Sequence, residues 1–246
     1  MATQPDLKSD TVMLSVSGLT CAYGKVNALK GIDFYVRELE IVGIVGPNGA
    51  GKTTLLEAIV GTMPIKEGRV EFLGQRVERW TVWQRRRSGI MLIPQDGNVF
   101  PLMTVGKNFE VSVILSTHEE RKGLMDYAYQ LFPILWEKRK QNANTLSGGQ
   151  QKMLAVALGL VSNASLLLVD EPSIGLAPKL VTRLFESFRK IRQDTHKTIV
   201  LSEQNIKVLD TADRLFGLEA GHIRFDEMTE RLSRETVMSL YLGKAR

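Results

Sequence analysis

The chain is poor in the features that staple or anchor a protein. Cys21 is the one cysteine in 246 residues, so an intramolecular disulfide and a cysteine-rich zinc site are both excluded. Histidine is nearly as scarce, and His118, His196 and His222 are too scattered for metal-ligand spacing. No apolar run approaches the ~20 residues of a membrane-spanning helix. The longest uncharged stretch near the middle, Met153–Val169, is interrupted by Ser162, Asn163 and Ser165, and reads as a buried helix followed by a buried strand. Met1–Asp10 carries Asp6, Lys8 and Asp10 and no apolar centre, which reads as a loose tail and not a secretory leader. Internal repeats and low-complexity tracts are missing. Lys+Arg 32 against Asp+Glu 27 leaves +5, a mild and diffuse excess that names no anionic partner.

What is present is ordinary globular composition, 43% hydrophobic and 24% charged, in a chain long enough to bury a sizeable core. The apolar pattern predicts strands at Val12–Ser17, Ile32–Arg37, Ile41–Val45, Val70–Leu73, Ile90–Ile93, Leu166–Val169 and Thr198–Leu201. Arg214–Leu218 and His222–Phe225 flank Glu219–Gly221 as a hairpin. Helices are expected at Lys52–Val60, Val105–Leu115, Leu124–Leu135, Ile206–Thr211 and Met228–Leu242. A further helical face is formed by Leu180, Val181, Leu184, Phe185, Phe188 and Ile191. Pro133 should kink or end the Leu124–Leu135 helix near Phe132, and Glu137–Lys140 reads as a solvated connector. The class is α/β: a mainly parallel sheet, antiparallel β hairpins, and a helical lobe inserted over residues 96–162 between core segments 11–95 and 163–246.

Three motifs carry chemistry. Gly46-Pro47-Asn48-Gly49-Ala50-Gly51-Lys52-Thr53 fits the phosphate-binding pattern, and Thr54 follows it. Glycines let several backbone N–H groups face one phosphate cluster, and the helix after them adds its positive end. Lys52 suits the β- and γ-phosphates, and the Thr53 hydroxyl suits Mg²⁺. The loop follows an apolar strand and precedes a helix, which is the setting this chemistry needs. Second, Leu166-Leu167-Leu168-Val169 ends in Asp170-Glu171, two carboxylates at the crevice end of a strand. Asp170 suits Mg²⁺, held through water, and Glu171 suits the general base that activates water. Third, Leu146-Ser147-Gly148-Gly149-Gln150 before a helix makes another anion-binding surface. Two such surfaces for one nucleotide suggest that the second serves a nucleotide held by another chain.

With Tyr23 upstream and Gln95 between the motifs, the chain resembles the nucleotide-binding subunits of ATP-binding-cassette transporters from about Leu14 to Leu242. The resemblance implies a P-loop ATPase of ATP and Mg²⁺, working as a head-to-tail cassette pair. In each site one chain would give the phosphate loop and the other Ser147–Gln150. Tyr23 matches the aromatic that stacks on adenine, and Gln95 the glutamine that touches Mg²⁺ and water. Asp96–Val105, with its apolar Phe100, Pro101, Leu102 and Met103, would meet a membrane permease. The implied place is peripheral, on the cytoplasmic face of the cell membrane, with a solute-binding protein as indirect partner and no nucleic acid.

The sequence departs from the common pattern twice. Ala177 replaces the usual aspartate of the loop after the acidic pair, and Gln204 stands where most cassettes have a histidine. Glutamine donates a hydrogen bond but carries no charge. These departures, with Asn98-Val99-Phe100-Pro101, are similar to one cassette of branched-chain or neutral amino-acid importers, whose partner cassette is a different chain. A homodimer, a urea or amide importer, a lipid exporter, a soluble non-transport ATPase and a subunit that binds ATP without turnover remain the alternatives.

Overall fold

Alternating and continuous apolar runs go to two different sheets. The computed structural model describes residues 10–114 and 118–241. β1 (Val12–Tyr23) and β2 (Val26–Arg37) pair antiparallel, and with β4 (Glu67–Phe72) and β5 (Gln75–Arg76) form a sheet of order β2-β1-β4-β5. The continuous runs β3 (Ile41–Val45), β7 (Leu166–Asp170) and β8 (Thr198–Glu203) are buried at every residue. They are central in a second sheet of order β10-β9-β3-β8-β7-β6, completed by β6 (Ile90–Ile93), β9 (Arg214–Glu219) and β10 (His222–Met228). All its pairs are parallel except β9–β10. Continuous apolar strands belong there, because both faces of such a sheet are covered.

β1 and β2 are longer than their sequence patterns predict. The register slips between Val16 and Leu19 and again between Leu19 and Cys21, which breaks the period of two and hides the continuation as far as Tyr23. α2 (Val82–Ser88) escapes apolar periodicity because Arg85 is its one buried residue. Its signal is the Thr81–Gln84 capping box instead.

α1 (Lys52–Val60) has the predicted bounds. Between β6 and β7 the described chain is helical: α3 (Val105–Ser112), α4 (His118–Leu131), α5 (Pro133–Glu137) and α6 (Gly148–Val161). The expected Leu124–Leu135 helix is two pieces. Pro133 lacks an N–H and opens α5, so α4 stops at Leu131. One core cluster joins Phe109, Phe132 and Leu135 to Leu154 of α6 and to Val181, Phe185 and Phe188 of α7 (Pro178–Thr195). The fit of α6 on the sheet is close, since a Cβ at Gly159 would lie 2.3 Å from Ile93 Cδ1.

Ile206–Asp210 is 3-10 and not α-helical. The expected terminal helix begins later than Met228, which ends β10; a 3-10 turn follows and then α8 (Arg234–Tyr241). The predicted helix ends at Leu115 and Leu242, and residues 1–9 of the tail, lie outside the described residues. The carboxyl ends of β3, β6, β7 and β8 adjoin, so Asp170 ends, and Gly46, Gln95, Glu171 and Gln204 follow, strands that open on one edge.

Candidate active site

The chain turns from β3 into α1 through a loop that admits no side chain at its entry. A Cβ on Gly46 would lie 2.0 Å from the Leu218 carbonyl oxygen. At the exit Gly51 has φ 110°, a left-handed conformation that L side chains avoid. Ala50 is buried, and its carbonyl accepts the Gly221 N–H at 3.0 Å, which ties the loop to the β9–β10 turn. Asn48 and Gly49 are exposed at its tip. The first turn of α1, Lys52, Thr53 and Thr54, contains no acid, so the helix itself places no carboxylate at its positive end. Lys52 is 4% exposed, and its Nζ donates to the carbonyls of Gly46 at 2.9 Å and Pro47 at 3.2 Å. A buried ammonium requires such partners.

The acidic pair meets this loop. The Thr53 hydroxyl donates to Asp170 Oδ2 at 2.8 Å, and the Ser202 hydroxyl donates to Asp170 Oδ1. Glu171 is 7% exposed and holds φ 43°, an uncommon conformation for a residue with a side chain. Lys52 Nζ lies 3.1 Å from Glu171 Oε1. Gln204 Nε2 donates to both Glu171 carboxylate oxygens at 2.9 Å, and also to Asn48 Oδ1. A cation and a neutral amide thus hold one carboxylate at the loop's mouth.

A recess of about 530 Å³ opens here, lined by Tyr23, Asn48, Lys52, Thr53, Gln95 and Glu171 among others. Tyr23 is 56% exposed, with its hydroxyl donating to Glu57 Oε2 at 3.1 Å. Its ring is available at the rim. The Gln95 carbonyl accepts from Lys152 Nζ, so the residue is tied to α6. Burial lowers the Lys152 pKa.

Ser147, Gly148, Gly149 and Gln150 are not brought to this recess. Ser147 caps α6: its Oγ accepts the Gln150 N–H while Gln150 Oε1 accepts the Ser147 N–H at 3.1 Å. Ser147, Gly149 and Gln150 line a separate groove of about 770 Å³ with Met153 and Leu180. Within one chain the phosphate-loop pattern and the Ser147–Gln150 segment do not meet.

Sequence reasoning missed part of the exposed apolar surface beyond Gln95. Phe100, Leu102 and Met103 are exposed as expected, Leu102 at 80%. Trp83, Val111 and Ile114 are exposed too, and with Val99 and Phe100 they line a groove of about 460 Å³. Asn108, wholly buried, shapes this segment. Its Oδ1 accepts the Phe100 N–H at 2.7 Å, and its Nδ2 donates to the carbonyls of Phe100 at 3.1 Å and Thr104 at 3.0 Å. An asparagine inside an otherwise apolar helical face was the available signal.

The donor set fits a magnesium polyphosphate. Thr53 and Asp170 present oxygen ligands beside Gln95, which suits a hard divalent ion. Among the described residues no group of three or more His, Cys, Asp or Glu could hold a metal ion, so further ligands would come from the phosphates and water. Likewise, no helix among the described residues is long and apolar enough to cross a membrane.

The family model described as "ABC transporter" matches residues 29–174. The high-affinity branched-chain amino acid transport ATP-binding protein BraG of Pseudomonas aeruginosa is 36% identical, over 94% of this chain and 100% of its own length. A probable branched-chain amino acid transport ATP-binding protein, LivF, of Archaeoglobus fulgidus is 35% identical, over 94% of this chain and 99% of its own. Among solved structures, a dimeric ATP-binding cassette in a post-hydrolysis state with ADP and Pi is similar at TM-score 0.80 and 27% identity, covering 88% of this chain and 99% of that one.

Proposed function

Because the chain belongs to the ABC transporter family, we propose that it is the ATP-binding and ATP-hydrolysing subunit of an importer of branched-chain or neutral amino acids. The observation that carries the hydrolytic reading is Glu171, held between Lys52 and Gln204 at the mouth of the phosphate loop.

The polyphosphate of ATP binds along the loop from Gly46 to Thr54, against the N–H groups of α1. Its β- and γ-oxygens compete with Glu171 for the Lys52 ammonium. Glu171, released from that cation, accepts a proton from the attacking water. Gln204 keeps the carboxylate aimed, and its amide is neutral, so it orients without supplying charge to the γ-phosphate. Thr53, Asp170 and Gln95 would hold Mg²⁺, which would supply charge neutralisation at the phosphate oxygens. The Tyr23 ring stacks on adenine.

Ser147–Gln150 cap the nucleotide of a second cassette, because they line a groove apart from this chain's own recess. That partner is a different chain in our reading, with a homodimer as the other outcome. Residues 96–162 act as a helical subdomain inserted between core segments 11–95 and 163–246. Asp96–Val105, joined by Trp83, Val111 and Ile114, seats the membrane permease, so the chain is peripheral at the cytoplasmic face. A solute-binding protein delivers cargo to the permease.

The test is uptake by proteoliposomes holding the whole transporter with this chain. ATP-dependent accumulation of leucine, isoleucine or valine, lost in Glu171→Gln, is expected. ATP hydrolysis with accumulation of urea but no amino acid would overturn the cargo. Absence of hydrolysis in the assembled transporter would overturn the enzymatic reading.

A further inference from the structure

Glu203 closes β8 and is 1% exposed. Its carboxylate receives four hydrogen bonds. Oε1 accepts the Ser173 N–H at 2.9 Å, and Oε2 accepts the Ser173 hydroxyl at 2.8 Å. The same Oε2 accepts the N–H groups of Gln204 at 3.1 Å and Asn205 at 3.2 Å. The backbone of Glu203 is held as well, since its carbonyl accepts the Tyr241 hydroxyl of α8 at 3.3 Å.

The two loops joined in this way carry the reacting and orienting groups. Ser173 lies two residues after Glu171, at the end of β7. Gln204 follows Glu203 directly, at the end of β8. Gln204 Nε2 already contacts Glu171. Glu203 ties the same two loops together a second time, from inside the fold. With both N–H groups at 204 and 205 engaged, the reach of the Gln204 amide depends on its side-chain torsions alone. Only a carboxylate can accept all four bonds, because an amide in its place would turn an NH₂ group toward N–H and O–H donors. Burial raises the carboxyl pKa on balance, against the Ser173, Asn205 and Gln204 donors, which lower it.

We propose that Glu203 is a positioning residue for ATP hydrolysis: it locks the Ser173 loop and Gln204 into the one arrangement in which Gln204 aims Glu171. Among the described residues its carboxylate bonds Ser173, Gln204 and Asn205, none of them assigned to the phosphate loop, adenine or Mg²⁺, while its backbone pairs with Val45 at the loop's entry. Changing the carboxylate alone therefore falls on turnover and not on binding. This inference rests on the hydrolytic reading of the site given above.

The test uses the full chain in the assembly that hydrolyses ATP, with Glu203→Gln, Glu203→Asp, Ser173→Ala, Gln204→Ala and the double variant Glu203→Gln/Gln204→Ala. A loss of aim by about an ångström lowers turnover by up to ~100-fold. Glu203→Gln should therefore reduce kcat by roughly 10- to 100-fold, with KM for ATP and the Kd of a fluorescent ATP analogue within about twofold of wild type. Glu203→Asp should recover part of the loss. In the Gln204→Ala background Glu203→Gln should have little further effect, which a merely structural residue would not reproduce. Should Glu203→Gln fail to fold, Ser173→Ala decides, and its kcat must fall at unchanged KM. Wild-type kcat in Glu203→Gln or in Ser173→Ala would overturn the inference, as would equal losses from Glu203→Gln with and without Gln204. A wild-type assembly without ATP hydrolysis would remove the hydrolytic reading and this inference with it.

Discussion

Lys52 and Glu171 face each other across the mouth of the phosphate loop, Nζ to Oε1 at 3.1 Å, with side chains 4% and 10% exposed. The cation that should grip phosphate therefore also holds the carboxylate that should activate water. Lys52→Ala removes both functions. ATP binding should be lost, and the chain should lose roughly 3 kcal/mol of stability because a buried carboxylate loses its ion-pair partner. Nucleotide titration and chemical unfolding read the two effects separately. Normal ATP affinity in this variant would refute the assignment of the loop.

Glu171→Gln keeps the shape of the side chain and removes its basicity. ATP should bind with near wild-type affinity while turnover falls by ~100-fold or more. Single-turnover hydrolysis in the assembled transporter is the measurement. Unchanged turnover would mean that another group takes the proton.

Most of the candidate phosphate site was legible because its pattern is local in sequence. Gly46–Thr53 is one continuous segment, and Asp170-Glu171 ends an apolar run that can only be a buried strand. Ile41–Val45 and Ile90–Ile93 were readable for the same reason. What was illegible depends on tertiary contact. The Tyr23 end of β1 is hidden by bulges, and α2 packs through an arginine. Arg85 is 2% exposed, with Nη1 donating to the carbonyls of Ala58 and Ile59 at the end of α1. No apolar pattern announces a helix held in that way. The Gln204–Glu171 contact joins two loops that are distant in sequence, and position alone did not disclose it.

Ser147→Arg tests the separation of the two anion-binding surfaces. Ser147 is exposed at the N-terminus of α6, away from this chain's own recess. The variant should bind ATP normally as an isolated chain and should lower hydrolysis at the partner's site in the assembly. Loss of its own ATP binding instead would contradict a nucleotide shared between chains.

Lys197 supplies a pH signature remote from the site. It is 8% exposed, and its Nζ donates to the carbonyls of Ser162, at 3.0 Å, and Ala164. Burial, with repulsion from Arg86 adding to it, pushes its pKa down to about 8, whereas an unfolded lysine titrates near ~10.4. Between these values the unfolded chain binds more protons, so Lys197 makes stability rise with pH through that window and penalises folding fully below it. The rise amounts to about 3 kcal/mol from the difference between the two pKa values. Subtracting the unfolding free energies of Lys197→Met from wild type between pH 7.5 and pH 10.5 should isolate it. A flat difference would show that Lys197 keeps the pKa of an unfolded lysine.

The left-handed conformation of Glu171 and its ion pair pull stability in opposite directions at a single position. A side chain held there costs about 1–3 kcal/mol, which glycine would avoid and asparagine would lessen. The same change would strand the buried Lys52 ammonium, at about 3–5 kcal/mol. Selection for heat resistance alone would therefore keep the carboxylate, and drift at position 171 would be slow even in a lineage whose transporter had lost its cargo.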